Sequence, residues 1–293
     1  MRIQEFLTYL DKQERCSKHT IKAYSIDLGQ FEQELARVCE GDTSDESINS
    51  NIVRVWIMDL SEQGISNRSI NRKITALRTY FHYLEKIDEN IVNPMSKIIA
   101  PKIPKRKMSF ISKDDMQNIL DEKYDENDFI SLRNYLIIEI LYSTGIRRAE
   151  LIGLKETDIS FSNYCFKVLG KRKKERIVPI NQKIVDDLIK YIDLKHRLNI
   201  KEEFLFVDEH GKVFNDGQLY YMIHKKLLSC SVEKKSPHVF RHTCATHLID
   251  NGADINNVKN LLGHASIIAT EKYIHTTIEQ LKKEYNNAFK SIN

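Results

Sequence analysis

The chain has 293 residues, enough for one large or two ordinary domains, and 41% of them are hydrophobic, which suffices to bury a core. Only 10 glycines and 5 prolines argue against a disordered or all-β chain, and a net charge of +4 permits nucleic-acid binding without requiring it. Because neither a signal peptide nor a membrane-spanning apolar run is found, and the five cysteines form no CxxC motif, we expect a cytoplasmic protein with reduced thiols and no membrane span.

The first hundred residues are predicted to form a four-helix bundle. In 66–86 the apolar residues recur at spacings of 4, 3, 4 and 3, which places them on one helical face. Ser66 can cap the start of that helix. A similar stripe covers 20–38, and 3–10 and 51–60 are two shorter candidates. The stripe of the 66–86 helix consists of Ile70, Ile74, Leu77, Phe81 and Leu84.

A basic stretch with three prolines, NPMSKIIAPKIPKRKMSFIS, follows the bundle. Proline lacks a backbone donor and disfavours helix before it, so 93–107 is predicted to be an extended linker. Its positive charge would suit a polyanion, whereas a linker that is simply solvated remains the alternative.

The second part is predicted to be mostly helical with a small sheet. Ser112 and Asp115 match a capping pattern at its first helix, and further helices are expected at 128–143, from about Ile146, and after 182. Within 157–180, two runs rich in alternating or β-branched residues flank a basic turn and predict a hairpin, and 204–214 is a second possible hairpin. The expected fold class is therefore mainly α, with a four-helix N-terminal domain and a mostly helical second domain that contains a small antiparallel β-sheet.

Two arginines begin a predicted helix in YSTGIRRAELIGL, residues 142–154. A cation at a helix start opposes the helix dipole, so Arg147 would need an anionic partner. The alternative is an exposed arginine paired with Glu150 on the same helix.

The predicted hairpin turn is strongly basic. GKRKKER, residues 170–176, carries five cations in seven residues, and a turn can reach phosphates. A lysine there can also serve as a general acid, because partial burial shifts its pKa readily. A solvated run of charge is the alternative.

A third motif is SPHVFRHTCATHL, residues 236–248. His238 and Arg241 are three residues apart and share a helical face. His238 and His242 have the spacing of a zinc-binding pair, but no HExxH glutamate lies between them, so no metal site is predicted. The chain also shows neither a Mg²⁺-binding carboxylate cluster nor a GxxxxGK[ST] loop, which disfavours NTP-dependent chemistry.

The fourth motif is LLGHASIIATEKYIH, residues 261–275. Gly263 allows a sharp turn before His264, and Tyr273 follows nine residues after that histidine. A phenol has a pKa of about 10 and needs help to act as a nucleophile. These residues alone leave open that Tyr273 is a packing residue; nearby cations would be required to change that interpretation.

Together, in this order, the motifs resemble the tyrosine recombinase family, also called the phage integrase family, and within it the bacterial Xer recombinases. The shared pattern is TG-hydrophobic-R-x-x-E-L, a lysine on a hairpin turn, H-x-x-R, L-G-H, and a tyrosine nine residues later. The resemblance covers nearly the whole chain. It implies an enzyme that cuts and rejoins DNA at specific sites through a 3′-phosphotyrosyl intermediate, with chromosome dimer resolution as the expected role.

The resemblance assigns Arg147 and Arg241 to the non-bridging oxygens of the scissile phosphate, where they would offset charge in the transition state. His264 would donate a hydrogen bond to a phosphate oxygen. Glu150 matches the acid that supports the site from behind.

By the same resemblance, Tyr273 would be the nucleophile, His238 would activate or position it, and Lys171 would protonate the leaving 5′ oxygen. The phosphotyrosyl bond keeps the energy of the broken phosphodiester, so a 5′-hydroxyl can reseal the strand. Neither a metal nor ATP nor another cofactor is expected.

The resemblance also implies a domain plan: a helical, SAM-like, core-binding domain in 1–92, the basic linker in 93–107, and the catalytic domain with a C-terminal tail in 108–293. Both domains would bind double-stranded DNA. The candidate DNA-binding residues of the linker and the turn are Lys102, Lys105, Arg106, Lys107, Arg172, Lys173 and Lys174.

Family members act as four protomers on two DNA sites, so a homotetramer, or a heterotetramer with a related recombinase, is expected at the nucleoid. A DNA translocase is a possible activator. The tail 276–293 resembles one that docks onto a neighbouring protomer, although packing within its own protomer is equally open. The integrase of a mobile element and a DNA-binding regulator without chemistry are the competing functions.

Overall fold

The chain divides into two compact units, Met1–Arg106 and Lys107–Asn293. The computed structural model describes residues 1–104, 109–170 and 175–263. Across these three ranges, no helix combines the length and the apolar character that crossing a membrane requires.

Four helices form the N-terminal unit, as predicted. They are α1 (Ile3–Lys12), α2 (Lys18–Val38), α3 (Ser50–Glu62) and α4 (Asn67–Ile87). The predicted apolar stripe of α4 is buried in full, against Phe6, Phe31 and Trp56 of the other three helices. The Ser66 hydroxyl accepts a hydrogen bond from the Ser69 amide at 3.3 Å, so the predicted cap is confirmed.

The first part of the predicted extended linker, 93–107, is not extended. Residues Pro94–Lys97 form a 3₁₀ turn that is capped by the side chain of Asn93. Met95 and Ile98 are 4% exposed and belong to the N-terminal core. The extended conformation is therefore wrong for this part, because burial of two apolar side chains outweighs the tendency of proline-rich sequence to stay extended.

The described part of the second unit is mostly helical. Its helices up to residue 263 are α5 (Lys113–Asp121), α6 (Phe129–Thr144), α7 (Arg148–Ile152), α8 (Gln182–Arg197), α9 (Asp216–Lys226), α10 (Pro237–Asp250) and α11 (Ile255–Leu262). The Ser112 hydroxyl caps α5 by accepting from the Asp115 amide at 3.0 Å, as predicted. Helix α6 is buried along nearly its whole length, which is why its apolar residues show no single face.

The predicted sheet is present and antiparallel. Strands β1 (Ile159–Ser160), β2 (Cys165–Leu169) and β3 (Glu175–Pro179) are hydrogen-bonded in the order β1-β2-β3. The β2–β3 register runs from Cys165 opposite Pro179 to Leu169 opposite Glu175. In the predicted second hairpin, single bridges join Val207 to Val213 and Phe204 to Lys155.

Two glycines with positive φ end the helices that lead to the site. Gly145 closes α6 with φ +57°, and Gly263 closes α11 with φ +64°. Side chains other than glycine adopt this left-handed conformation at a cost. Each glycine directly or closely precedes a predicted site residue in sequence, Arg147 in one case and His264 in the other.

Candidate active site

Arg147 lies at the N-cap of α7 and is held by the acid three residues later. The Glu150 carboxylate accepts the Arg147 main-chain amide and its Nη1, both at 2.9 Å. The same guanidinium donates through Nη2 to the Gly263 carbonyl oxygen at 2.7 Å. The pairing considered from sequence is thus present, but the side chain also reaches across the fold to the end of α11.

Arg241 reaches the same place from α10. Its Nη1 donates to the Gly145 carbonyl oxygen at 2.7 Å and its Nη2 to the Leu262 carbonyl oxygen at 2.6 Å. Burial, followed by the positive charges of Arg147 and Arg176, lowers the pKa of Arg241 to about 10. It stays protonated at neutral pH, so the two predicted arginines bring two positive charges together at the C-terminus of α11.

Glu150 lies between two arginines. Arg176 on β3 donates Nη1 to Oε1 at 2.7 Å and Nη2 to Oε2 at 2.8 Å, in addition to the bonds from Arg147. Burial of Glu150 raises the pKa of the carboxyl group, but the bonds from Arg176 and Arg147 outweigh it and the net pKa is lowered. Glu150 is therefore an ionised, almost fully buried carboxylate.

The sequence interpretation missed Arg176 as part of this cluster, because it stands at the end of a run of cations that was assigned to the turn. The sequence did contain a signal. In the strand ERIVP, Arg176 follows the exposed Glu175, so strand alternation turns its side chain toward the interior. A cation that faces the interior needs a buried counter-charge.

His238 stands in the first turn of α10, one helical turn before Arg241. His238 is exposed to solvent, but neighbouring protein atoms partly desolvate its imidazole, and this lowers the pKa of His238 below its usual 6.5. The positive charges of Arg148, His242 and Arg241 lower it further. Arg148, outside the motif, pairs through Nε with Asp216 Oδ1 at 2.9 Å. The imidazole is therefore neutral at pH 7 and can accept a proton.

Several predicted site residues lie outside the described residues: Lys171, His264, Tyr273, Lys105, Arg106, Lys107, Arg172, Lys173 and Lys174. Lys102 is described and exposed, and its carbonyl oxygen accepts from Asn67 Nδ2 at 2.9 Å. In the ranges that are described, no group of three His, Cys, Asp or Glu residues is arranged to hold a metal ion.

Comparison with known families covers both units. The model of the phage integrase family matches residues 109–280, and that of the phage integrase N-terminal SAM-like domain matches residues 3–87. The chain belongs to the phage integrase family, whose members are the tyrosine recombinases. The family predicted from the four motifs is therefore confirmed, and with it the enzyme class and the mainly helical fold.

Curated relatives of this tyrosine recombinase align over nearly their full length. Tyrosine recombinase XerC of Staphylococcus aureus strain MSSA476 is 35% identical over 289 residues, which cover 98% of this chain and 96% of that protein. Tyrosine recombinase XerC of Staphylococcus saprophyticus strain ATCC 15305 is 34% identical over 293 residues, which cover 97% of this chain and 96% of that protein.

Solved structures of the same fold include a recombinase and an integrase, each with DNA. XerH site-specific recombinase, bound to its difH substrate before cleavage, matches with a TM-score of 0.70 at 21% identity, over 94% of this chain and 82% of that chain. The Tn1549 transposon integrase, in complex with transposon right-end DNA, matches with a TM-score of 0.72 at 18% identity, over 96% of this chain and 100% of that chain.

Proposed function

We propose that this chain is an Xer-type site-specific recombinase that cuts one DNA strand by attack of Tyr273 on a phosphodiester. The observation that carries the proposal is the convergence of Arg147 and Arg241 on the last carbonyl groups of α11. These carbonyls directly precede His264 in sequence, so the motif that contains the tyrosine starts at the arginines. Two fixed positive charges at one point suit a phosphate whose charge increases in the transition state.

Each remaining residue has a proposed task in this reaction. Neutral His238 takes or orients the proton of the Tyr273 hydroxyl, and Lys171 gives a proton to the departing 5′ oxygen. His264 donates to a phosphate oxygen. The P–O bond to the 5′ oxygen breaks as the bond to the tyrosine oxygen forms, and a 5′-hydroxyl reverses the exchange on another strand. The phosphotyrosyl ester keeps the energy of the broken phosphodiester, so resealing the strand needs no ATP.

The biological role is proposed from relatives. Both curated relatives described above carry the name XerC, and their alignments cover nearly the full chain. This favours chromosome dimer resolution, by four protomers on two DNA sites, with a related recombinase and a DNA translocase as further partners. Both proposed domains, 1–92 and 108–293, would contact the duplex, with the basic residues from Lys102 to Lys107 between them. The proposed location is the cytoplasm, at the nucleoid.

The test is formation of a covalent adduct with DNA. The DNA site is identified from the chromosomal fragments that the Tyr273→Phe protein retains. A synthetic duplex of this site then carries a nick beside the cleavage position and a label at the 5′ end of the cut strand. Wild-type protein is expected to hold the labelled strand through denaturation, whereas Tyr273→Phe does not.

Tyr221→Phe is the matched control and is expected to form the adduct, because Tyr221 is 71% exposed on α9. An adduct with Tyr273→Phe, or none with wild type on any retained fragment, would refute the proposal. Mapping of the retained fragments separates a chromosomal role from that of a mobile-element integrase.

A further inference from the structure

Arg176 is the last cation of the basic run 170–176, but it lies in a different environment from its neighbours on the sheet. Glu175 is exposed and pairs with Lys167 across the strands at 3.0 Å, and both side chains are 55% exposed. The next residue on β3 faces the other side of the sheet, where the Arg176 side chain is 15% exposed. Alternation along the strand thus turns the Arg176 side chain away from the solvent-facing pair of Glu175 and Lys167.

The Glu150 carboxylate is saturated by its two arginines. Oε1 accepts from Nη1 of Arg147 and Nη1 of Arg176, while Oε2 accepts from the Arg147 amide and Nη2 of Arg176. The Glu150 side chain is 6% exposed, and that of Arg147 is 35% exposed. Of the two cations bound to this carboxylate, Arg147 is the accessible one and Arg176 the enclosed one.

The charge balance explains why a second arginine is needed. Arg147 and Glu150 alone would sum to zero, and the carboxylate would cancel the charge that a phosphate has to meet. With Arg176 the cluster carries one net positive charge. Charge–charge interactions in partly buried sites are several-fold stronger than in bulk water, so this difference acts most strongly in the transition state, where the charge on the phosphate increases.

Arg176 also packs against the end of α11. A Cβ placed on Gly263 would lie 3.0 Å from Arg176 Cδ and 3.1 Å from its Nε. The carbonyl oxygen of that same glycine accepts Nη2 of Arg147 at 2.7 Å. The Arg176 side chain therefore lies beside both groups that hold the Arg147 guanidinium, and it is hydrogen-bonded to one of them, the Glu150 carboxylate.

We propose that Arg176 is a positioning residue for strand cleavage: it neutralises and orients Glu150, so that the charge of Arg147 remains available to the scissile phosphate. This inference rests on the recombinase function proposed above and adds to it a residue that makes no contact with DNA. It separates Arg176 from Lys171 and from the candidate DNA-binding residues of the same basic run.

A double-mutant cycle on adduct formation tests the proposal. Arg176→Met is expected to slow cleavage at saturating DNA by about 100-fold, as misplacement of a catalytic group by about 1 Å does. In a Glu150→Gln background the same change is expected to cost less than about threefold, because the group it positions is gone. Arg176→Lys keeps the positive charge but cannot bind both oxygens of Glu150, so it is expected to recover part of the cleavage rate that Arg176→Met loses. If the fold-loss in cleavage rate of the double variant equals the product of the losses of the two single variants, the proposal is overturned.

The salt dependence of DNA binding separates positioning from direct contact. Loss of one phosphate contact lowers the slope of log Kd against log salt concentration by about 0.9. Arg176→Met is expected to leave that slope unchanged in the Tyr273→Phe protein, and the solvent-facing control Lys167→Met also leaves it unchanged. A fall of about one in the slope for Arg176→Met would make Arg176 a phosphate contact and overturn the proposal.

A third measurement needs neither DNA nor activity. Urea unfolding of the same variants, followed by circular dichroism, is expected to show coupling: the double variant changes the unfolding constant about 10-fold less than the product of the single changes. Absence of coupling overturns the pairing of Arg176 with Glu150. If coupling is found but wild type forms no adduct, the proposed recombinase function fails and the pairing stands, so the two failures are distinct.

Discussion

Replacement of Gly145 by alanine tests how closely α6, α10 and α11 must approach at the site. Gly145 has φ +57°, and a Cβ there would lie 2.3 Å from Leu262 Cδ2 and 3.3 Å from Cys244 Sγ. Both neighbours are buried, at 3% and 0% exposure, and belong to one apolar cluster. Leu262 therefore has little room to move away, and it is also the residue whose carbonyl oxygen accepts from Arg241 Nη2.

The expected loss of stability has two parts. The left-handed conformation costs an alanine about 1–2 kcal/mol. Overpacking of a methyl group into a well-packed core costs about 1–3 kcal/mol. Gly145→Ala is thus expected to destabilise the second unit by about 3 kcal/mol, equivalent to a fall in Tm of about 6–12 °C for a unit of this size.

Gly252→Ala is the matched control, because Gly252 has φ +87° with no atom within 4 Å of the added Cβ. It carries the conformational cost without the overlap. Thermal unfolding is followed by circular dichroism, and the fluorescence of Trp56, the single tryptophan, reports the N-terminal unit separately. If Gly145→Ala loses no more stability than Gly252→Ala, the close approach of Leu262 is not a constraint and the reasoning is wrong.

Two further predictions concern pH. Burial raises the pKa of Glu150, but Arg176 and Arg147 bring it to a net value below the ordinary 4.5. The ionised carboxylate therefore stabilises the folded state above about pH 4.5, and this contribution is lost as the pH falls through the folded-state pKa. Glu150→Gln should therefore reduce the steepness of the stability loss below that pH, as measured by urea unfolding, and an unaltered pH profile would contradict this. Arg148→Ala should raise the pKa of His238 toward 6.5, because it removes a positive charge that disfavours the protonated imidazole. The pKa is expected to stay below 6.5, because the desolvation remains. The NMR titration of the imidazole measures this, and an unchanged midpoint would show that Arg148 does not act on His238.

Most of the helices could be predicted because their signals are local. An apolar stripe at helical spacing identified α4, and Ser66 and Ser112 marked starts that the structure confirms through their hydrogen bonds. The conformation of Pro94–Lys97 could not be predicted in this way. Its proline and lysine content indicated extended chain, whereas burial of Met95 and Ile98 in a core formed by distant residues decided otherwise.

The sequence by itself determined the family, through the residue types and order of four motifs, and the side chains available for phosphoryl transfer. Only the tertiary structure decided which groups meet. Arg241 binds the carbonyl oxygens of residues 96 and 21 positions away, and Glu150 takes a partner 26 positions along the chain. Such contacts depend on how α7, α10, α11 and β3 pack. Local spacing carries no information on that packing, which is why a run of cations could be recognised while the counterion of its last member could not.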